Sequence, residues 1–127
     1  MRYLLDTHVV IWYLENSSRL PPKTKETIHY NGNNICVCSV SLWEIAIKLN
    51  LGKLKIKFTL NGILNEIHTS DFELLQIEDE HLKRLAVLPS IHKDPFDRLL
   101  ISTALAEKLT IITADESIRQ YDVTWIW

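Results

Sequence analysis

The chain has 127 residues, 46% of them hydrophobic and 24% charged, the size and balance of one domain with a sizeable core. A formal net charge of −2 excludes a strongly basic nucleic-acid coat. It leaves open an enzyme of nucleic acids whose positive field comes from bound metal and local Lys and Arg.

Short apolar runs alternate with amphipathic stretches, the pattern of a parallel sheet with helices on its faces. The first strand is expected over about Tyr3–Leu5 and a helix over about His8–Glu15. Leu20-Pro21-Pro22 opens a second helix toward Tyr30, with proline tolerated in the first turn, and Asn31-Gly32-Asn33-Asn34 ends it in a left-handed or turn conformation. Ile35 to Val40 reads as the second strand, and Ser41 starts a helix that runs to Asn50 and is closed by Gly52. Thr59 to His68 carries Leu60, Ile63, Leu64 and Ile67 at helical spacing. Phe72 to Ile77 is a strand and Glu78 to Leu88 a helix stopped before Pro89. Asp94-Pro95 opens the longest helix, toward Leu109. Thr110 to Thr113 is a strand, Asp115 to Arg119 a short helical turn, and Val123 to Trp127 the closing strand. No repeat, low-complexity tract or linker interrupts this series. The fold class is therefore α/β: one three-layer α/β/α domain over residues 1–127 around a central, mainly parallel sheet.

Cys36 and Cys38 are alternate residues of one strand, so they point the same way and do not bridge each other; two buried free thiols fit a reducing compartment. The opening segment lacks a secretory pattern and no apolar run is long enough to span a bilayer, so a cytoplasmic protein with no membrane partner is expected.

Asp6, Glu44, Asp97 and Asp115 each fall at a strand end or in an opening helical turn. In open α/β sheets that edge is where ligands bind, at a switch point in strand order. Gathered there, the four carboxylates form a dense anionic pocket suited to a hard divalent cation, Mg²⁺ or Mn²⁺, and such ions commonly serve phosphoryl chemistry. Each acid also has a plainer explanation. Ser41-x-x-Glu44 matches a capping box. Asp94 suits an N-cap with proline at the first helical position, and Asp97 the helix dipole. Asp6 could cap a helix and Asp115 could serve a turn. Their joint placement on one edge carries the argument.

The surrounding segments resemble PIN-domain proteins, and more narrowly VapC-type toxins of toxin–antitoxin pairs. The matching stretches are Leu4-Leu5-Asp6-Thr7-His8, the run from Ser39 to Lys48 containing Trp43-Glu44-Ile45-Ala46-Ile47-Lys48, Leu51-Gly52-Lys53-Leu54, the run from His92 to Leu100 containing Asp94-Pro95-Phe96-Asp97-Arg98, and Ile112-Thr113-Ala114-Asp115. They span nearly the whole chain, and all four acidic positions are kept. The resemblance implies a metal-dependent endoribonuclease, a homodimer, and a small antitoxin protein that blocks the pocket, with Asp6, Glu44, Asp97 and Asp115 as metal-holding and catalytic residues. With water as the nucleophile, RNA would be cut to a 5′-phosphate and a 3′-hydroxyl.

Around the acids, Thr7, Ser41 and Thr113 could orient carboxylates or merely cap and turn the chain. Arg98 could clamp phosphate or lie exposed on its helix, and Lys48 could touch substrate or form an i,i+4 ion pair with Glu44. Asp94 could extend the pocket or act as an N-cap, and Glu116 is a similar outside candidate. His8 and His92 flank the acids, but a hard-ion site does not need histidine and neither is assigned as a ligand. Lys53, Lys55 and Lys57 alternate with Leu54, Ile56 and Phe58, which reads as a basic RNA edge or, better, as one solvated face of an extended segment. Trp12 and Trp43 fall on apolar helix faces, and Trp125 and Trp127 share a face of the last strand, so packing or interface roles are expected ahead of base stacking. An exposed apolar helix patch near residues 20 to 70 would suit an antitoxin.

Other classes fit less well. The three glycines, Gly32, Gly52 and Gly62, form no dinucleotide or P-loop signature. A phospho-receiver domain would need an adjacent acidic pair after the first strand. A PIN-like nuclease acting on DNA or in RNA processing, or a non-catalytic interaction module whose acids are only caps, remains as an alternative.

Overall fold

The computed structural model describes residues 1–127. Strand β1 (Arg2–Leu5) is followed by helices α1 (Thr7–Leu14) and α2 (Pro22–His29), then β2 (Asn34–Cys38). Helices α3 (Ser39–Asn50) and α4 (Leu60–Thr69) precede β3 (Glu73–Leu75), and α5 (Asp79–Ala86) and α6 (Pro95–Glu107) precede β4 (Thr110–Ile112). Helix α7 (Glu116–Arg119) and β5 (Trp125–Ile126) complete the series. The five strands form one sheet in the order β3-β2-β1-β4-β5, and every neighbouring pair is parallel.

Alternation along the strands explains why their sequences read as unbroken apolar runs. Tyr3, Leu5, Ile35, Val37 and Ile112 pack on one face with residues of α1, α2, α3 and α4. Leu4, Cys36, Cys38 and Ile111 pack on the other with α6, Ile118 of α7 and Tyr121. A parallel sheet covered on both sides leaves water only the strand residues at its ends and edges, Arg2, Glu73 and Trp125. Cys36 and Cys38 are both buried and unbridged on the same face, as their spacing predicts. Burial, helped by the Glu73 carboxylate, pushes the Cys36 thiol up to about 12, so it is inert as a nucleophile.

The first two crossovers lie on one face and the last two on the other, so strand order reverses between β1 and β4. The carboxyl ends of these two strands therefore flank the crevice where such folds bind ligands.

Two local features differ from the expectation, and the turn after α2 takes the second of its two expected forms. Helix α3 begins at Ser39, two residues before Ser41, and its N-cap Cys38 makes no side-chain cap bond. The β2–β3 ladder ends at Cys38 and Val40 is drawn into the α6-side core, so packing sets this boundary. The turn after α2 uses no left-handed residue at Gly32; among glycines only Gly52 has a positive φ, of 70°. There it closes α3 as expected: Gly52 N–H donates to the Leu49 carbonyl (3.2 Å) and Lys53 N–H to that of Lys48 (2.9 Å), a Schellman closure. Finally, Trp125 and Trp127 do not share surroundings. Trp125 lies 4.0 Å beneath the Arg119 guanidinium, whereas Trp127 packs on Trp12 with ring centres 5.8 Å apart. No helix is long and apolar enough to cross a membrane.

Candidate metal centre

Asp6 is the N-cap residue of α1, yet its side chain makes no cap bond to that helix. Its Oδ2 instead accepts from the Thr113 hydroxyl at 2.8 Å, a contact across the β1–β4 switch point. Burial raises its pKa; the Thr113 bond opposes this and the Asp115 charge adds to it. Thr113 Oγ1 also accepts from the Asp115 N–H at 3.0 Å, joining the acid after β4 to the one after β1. Asp115 caps α7 through Oδ1, which accepts from Ser117 N–H at 2.8 Å. That cap bond engages Oδ1 alone. Glu116 is exposed beyond this cap.

The early start of α3 changes the reading of Glu44. Ser41 is the third helical residue and Glu44 the sixth, so no capping box forms and the carboxylate is not spent on the helix end. Ser41 accepts a hydrogen bond from the Thr7 hydroxyl (2.8 Å, both residues buried), pinning the start of α1 to α3. Glu44 is 3% exposed. Its Oε2 meets Lys48 Nζ at 2.7 Å, the expected i,i+4 pair. Its Oε1 is buried with no hydrogen-bond partner. A buried, unsatisfied carboxylate oxygen is costly, and a cation beside it would remove the cost.

Asp94 is the N-cap of α6, its Oδ1 accepting from the N–H groups of Phe96 (2.8 Å) and Asp97 (3.2 Å). Asp97 Oδ2 contacts His92 Nε2 at 2.7 Å. The Asp97 carboxyl is pushed up to about 7, first by burial and then by the charges of Asp6, Asp94 and Glu44, with the His92 bond opposing them. Those contributions place the acids from β1, α3 and α6 within electrostatic reach of one another. Lys48 also feels Asp94 and Asp97 besides Glu44, so its ammonium lies among the same acids.

Sequence reasoning underweighted His92. The donor atoms of His92, Asp94 and Asp97 lie within 4.8 Å of one another. The signal was available as a histidine five residues before an acid at a helix start. His8 is exposed and stacks on Trp12 at 5.8 Å.

Arg98 is neither a free phosphate clamp nor an exposed helix residue. Its Nη1 donates to the Pro89 carbonyl (2.9 Å) and the Tyr121 hydroxyl (3.1 Å), and its Nη2 to the Leu88 carbonyl (3.2 Å). The guanidinium is committed to the loop before α6. Trp43 is 58% exposed, with an edge-on contact to Phe96 at 5.2 Å between centroids, so of the packing and interface roles expected for it packing is limited to that contact. The lysines at 53, 55 and 57 are exposed while Leu54, Ile56 and Phe58 pack on the core, an arrangement common to a solvated face and a basic edge. The largest cavity, about 690 Å³, opens beside Tyr13, His29, Tyr30 and Phe72, and none of the pocket acids lines it.

Carboxylates from four elements at a switch point, Asp6 and Glu44 buried and Asp97 and Asp115 half-buried, can hold a divalent cation through hard oxygen donors. A family model described as the PIN domain matches residues 3–123. The chain belongs to the PIN-domain family. As a PIN domain it is 22% identical over 129 residues to Ribonuclease VapC22 of Mycobacterium tuberculosis, an alignment covering 93% of this chain and 90% of that protein. Its fold is similar to that of VapBC2 from Rickettsia felis, solved bound to a DNA fragment from their promoter, with a TM-score of 0.75, 20% identity and coverage of 99% of this chain and 98% of that one. It is also similar to VapBC-5 from Mycobacterium tuberculosis, a member of the VapBC family of toxin–antitoxin systems, with a TM-score of 0.64 and 19% identity, covering 98% and 97%.

Proposed function

We propose that this PIN domain is a metal-dependent endoribonuclease and the toxin of a toxin–antitoxin pair, acting as one domain over residues 1–127. The proposal rests on Glu44 Oε1, buried and unpartnered, and is supported by the charges that Asp97 feels from Asp6 and Glu44 and that Asp6 feels from Asp115. That orphaned oxygen and the mutual strain of the carboxylates fit a Mg²⁺ or Mn²⁺ ion held by these four residues. When bound, the cation lowers the pKa of water and offsets charge on the phosphodiester.

The protein's own groups supply the rest. Thr113 orients Asp6, the Thr7–Ser41 bond sets the spacing of α1 and α3, and Asp94 fixes the first turn of α6 that presents Asp97. Lys48 neutralises Glu44 from the side and stands ready to meet the RNA backbone. Similarity to a Mycobacterium tuberculosis ribonuclease supports RNA as the substrate, and similarity to VapBC toxin–antitoxin complexes supports a small antitoxin as partner. A homodimer is supported by an apolar stripe along α3: Trp43 and Leu51, each 58% exposed, flank the half-buried Ile47 at helical spacing beside Phe96.

End-group analysis of cleaved RNA tests the chemistry. Products with 5′-phosphate and 3′-hydroxyl ends are expected. Ends bearing 2′,3′-cyclic phosphate would mean that the RNA 2′-hydroxyl is the nucleophile and that the proposed use of water is wrong.

A further inference from the structure

His92 stands on the segment before α6, and that segment is tied down. The buried Tyr121 hydroxyl accepts from the His92 N–H at 2.8 Å and donates to the Pro89 carbonyl at 2.9 Å. The imidazole is fixed as well as its backbone. Nδ1 accepts from the Lys93 N–H at 3.1 Å, so in the neutral ring Nε2 carries the proton and donates to Asp97 Oδ2 at 2.7 Å. With both ring nitrogens engaged, no lone pair is left for a cation, although His92, Asp94 and Asp97 bring their donor atoms within 4.8 Å. Asp94 spends its cap bonds on the backbone of α6 and does not touch the Asp97 side chain through them. The His92 bond is the one side-chain hydrogen bond that holds the Asp97 carboxylate.

We propose that His92 is a positioning residue for the metal centre, donating from Nε2 to Asp97 Oδ2 so that Oδ1 stays turned toward the pocket and available to the cation. The inference rests on the metal-nuclease reading and deepens it. It makes His92 a partner of a ligand and not a ligand itself. A carboxylate free to rotate beside Asp6, Asp94 and Glu44 would turn away from their charge. A fixed hydrogen bond prevents this and pre-forms the site before the ion arrives.

Calorimetric titration of the full chain with Mn²⁺, without RNA, tests the proposal on wild type, His92→Ala and His92→Gln. Loss of an orienting partner typically weakens metal binding about 10–100-fold, which is the expected loss in His92→Ala. The Gln amide nitrogen can stand where Nε2 stands, so His92→Gln should recover affinity to within a few-fold of wild type. Thermal unfolding of the three metal-free proteins accompanies the titration, because a purely structural histidine would lower stability in both variants without separating their metal affinities. Affinity in His92→Ala equal to wild type overturns the proposal. So does equal loss in both variants, which would indicate that the imidazole itself binds the ion. If wild type takes up no Mn²⁺, the metal reading as a whole fails, a result distinct from either of these.

Discussion

Asp97 is held by His92 on one side and faces the charges of three other carboxylates, so its proton is the most responsive chemical feature of the pocket. Its carboxyl, ordinarily near 3.8, lies at about 7 in the folded chain, and that of Asp6 is raised as well. Between these limits the folded state binds more protons than the unfolded chain. The Asp97 contribution to stability is therefore fully present below about pH 4 and is lost as pH rises through about 7. Melting of the metal-free protein across that window should show this decline, and Mn²⁺ should stabilise the protein increasingly toward neutral pH, where the acids are deprotonated. A Mn²⁺ effect larger at pH 5 than at pH 8 would contradict the assignment. At this scale the sequence was informative about the acids and about one local partner, Lys48 four residues after Glu44, but not about which acid Thr113 or His92 would hold. Asp6, Glu44, Asp97 and Asp115 were legible because strand ends and helix starts can be read from periodicity. The Thr113–Asp6 bond joins residues 107 apart, and Arg98 turned away to loop carbonyls; both depend on tertiary placement that no local pattern encodes.

Among the elements, α3 carries both an exposed surface and a closure that can be tested separately. Gly52 adopts a φ of 70°, and a Cβ added there meets nothing within 4 Å, so Gly52→Ala would suffer backbone strain alone. A loss of about 1 kcal/mol in denaturant unfolding is expected, from the left-handed penalty of a residue with a side chain. The stripe of Trp43, Ile47 and Leu51 predicts a different response: Trp43→Glu with Leu51→Glu should convert a dimer to a monomer in sedimentation without lowering the melting temperature of the fold. A wild type that sediments as a monomer would remove the stripe's proposed role. The helix itself was legible, but its first residue was not. Ser41 looks like a cap in sequence, yet burial of Val40 and the end of the β2–β3 ladder start the helix at Ser39 and leave Glu44 free for the pocket. Tertiary packing overrode local capping preference there.

For the whole molecule, the order β3-β2-β1-β4-β5 is what brings Asp6, after β1, beside Asp115, after β4, through Thr113. Alternating strands and helices made the parallel α/β class legible, whereas strand neighbours were not, because long crossovers leave pairing to the distribution of apolar faces on the sheet. The α6-side core is the part most exposed to test. Leu100 and Ile101 are both at most 1% exposed, and truncating Leu100 to Ala should cost about 2–5 kcal/mol in urea unfolding, the usual range for a buried leucine. Because α6 also presents Asp97, the same truncation should weaken Mn²⁺ binding, coupling the core to the site.

Whether these carboxylates hold a metal that cuts RNA is tested by one assay. Purified protein is incubated with RNA in Mg²⁺, Mn²⁺ or EDTA, beside the variants Asp6→Asn and Asp97→Asn. Loss of several kcal/mol of charge stabilisation corresponds to a rate fall of about 100-fold or more, so cleavage should require the ion and nearly vanish in both variants. Cleavage that persists in EDTA and is indifferent to both substitutions would contradict the account.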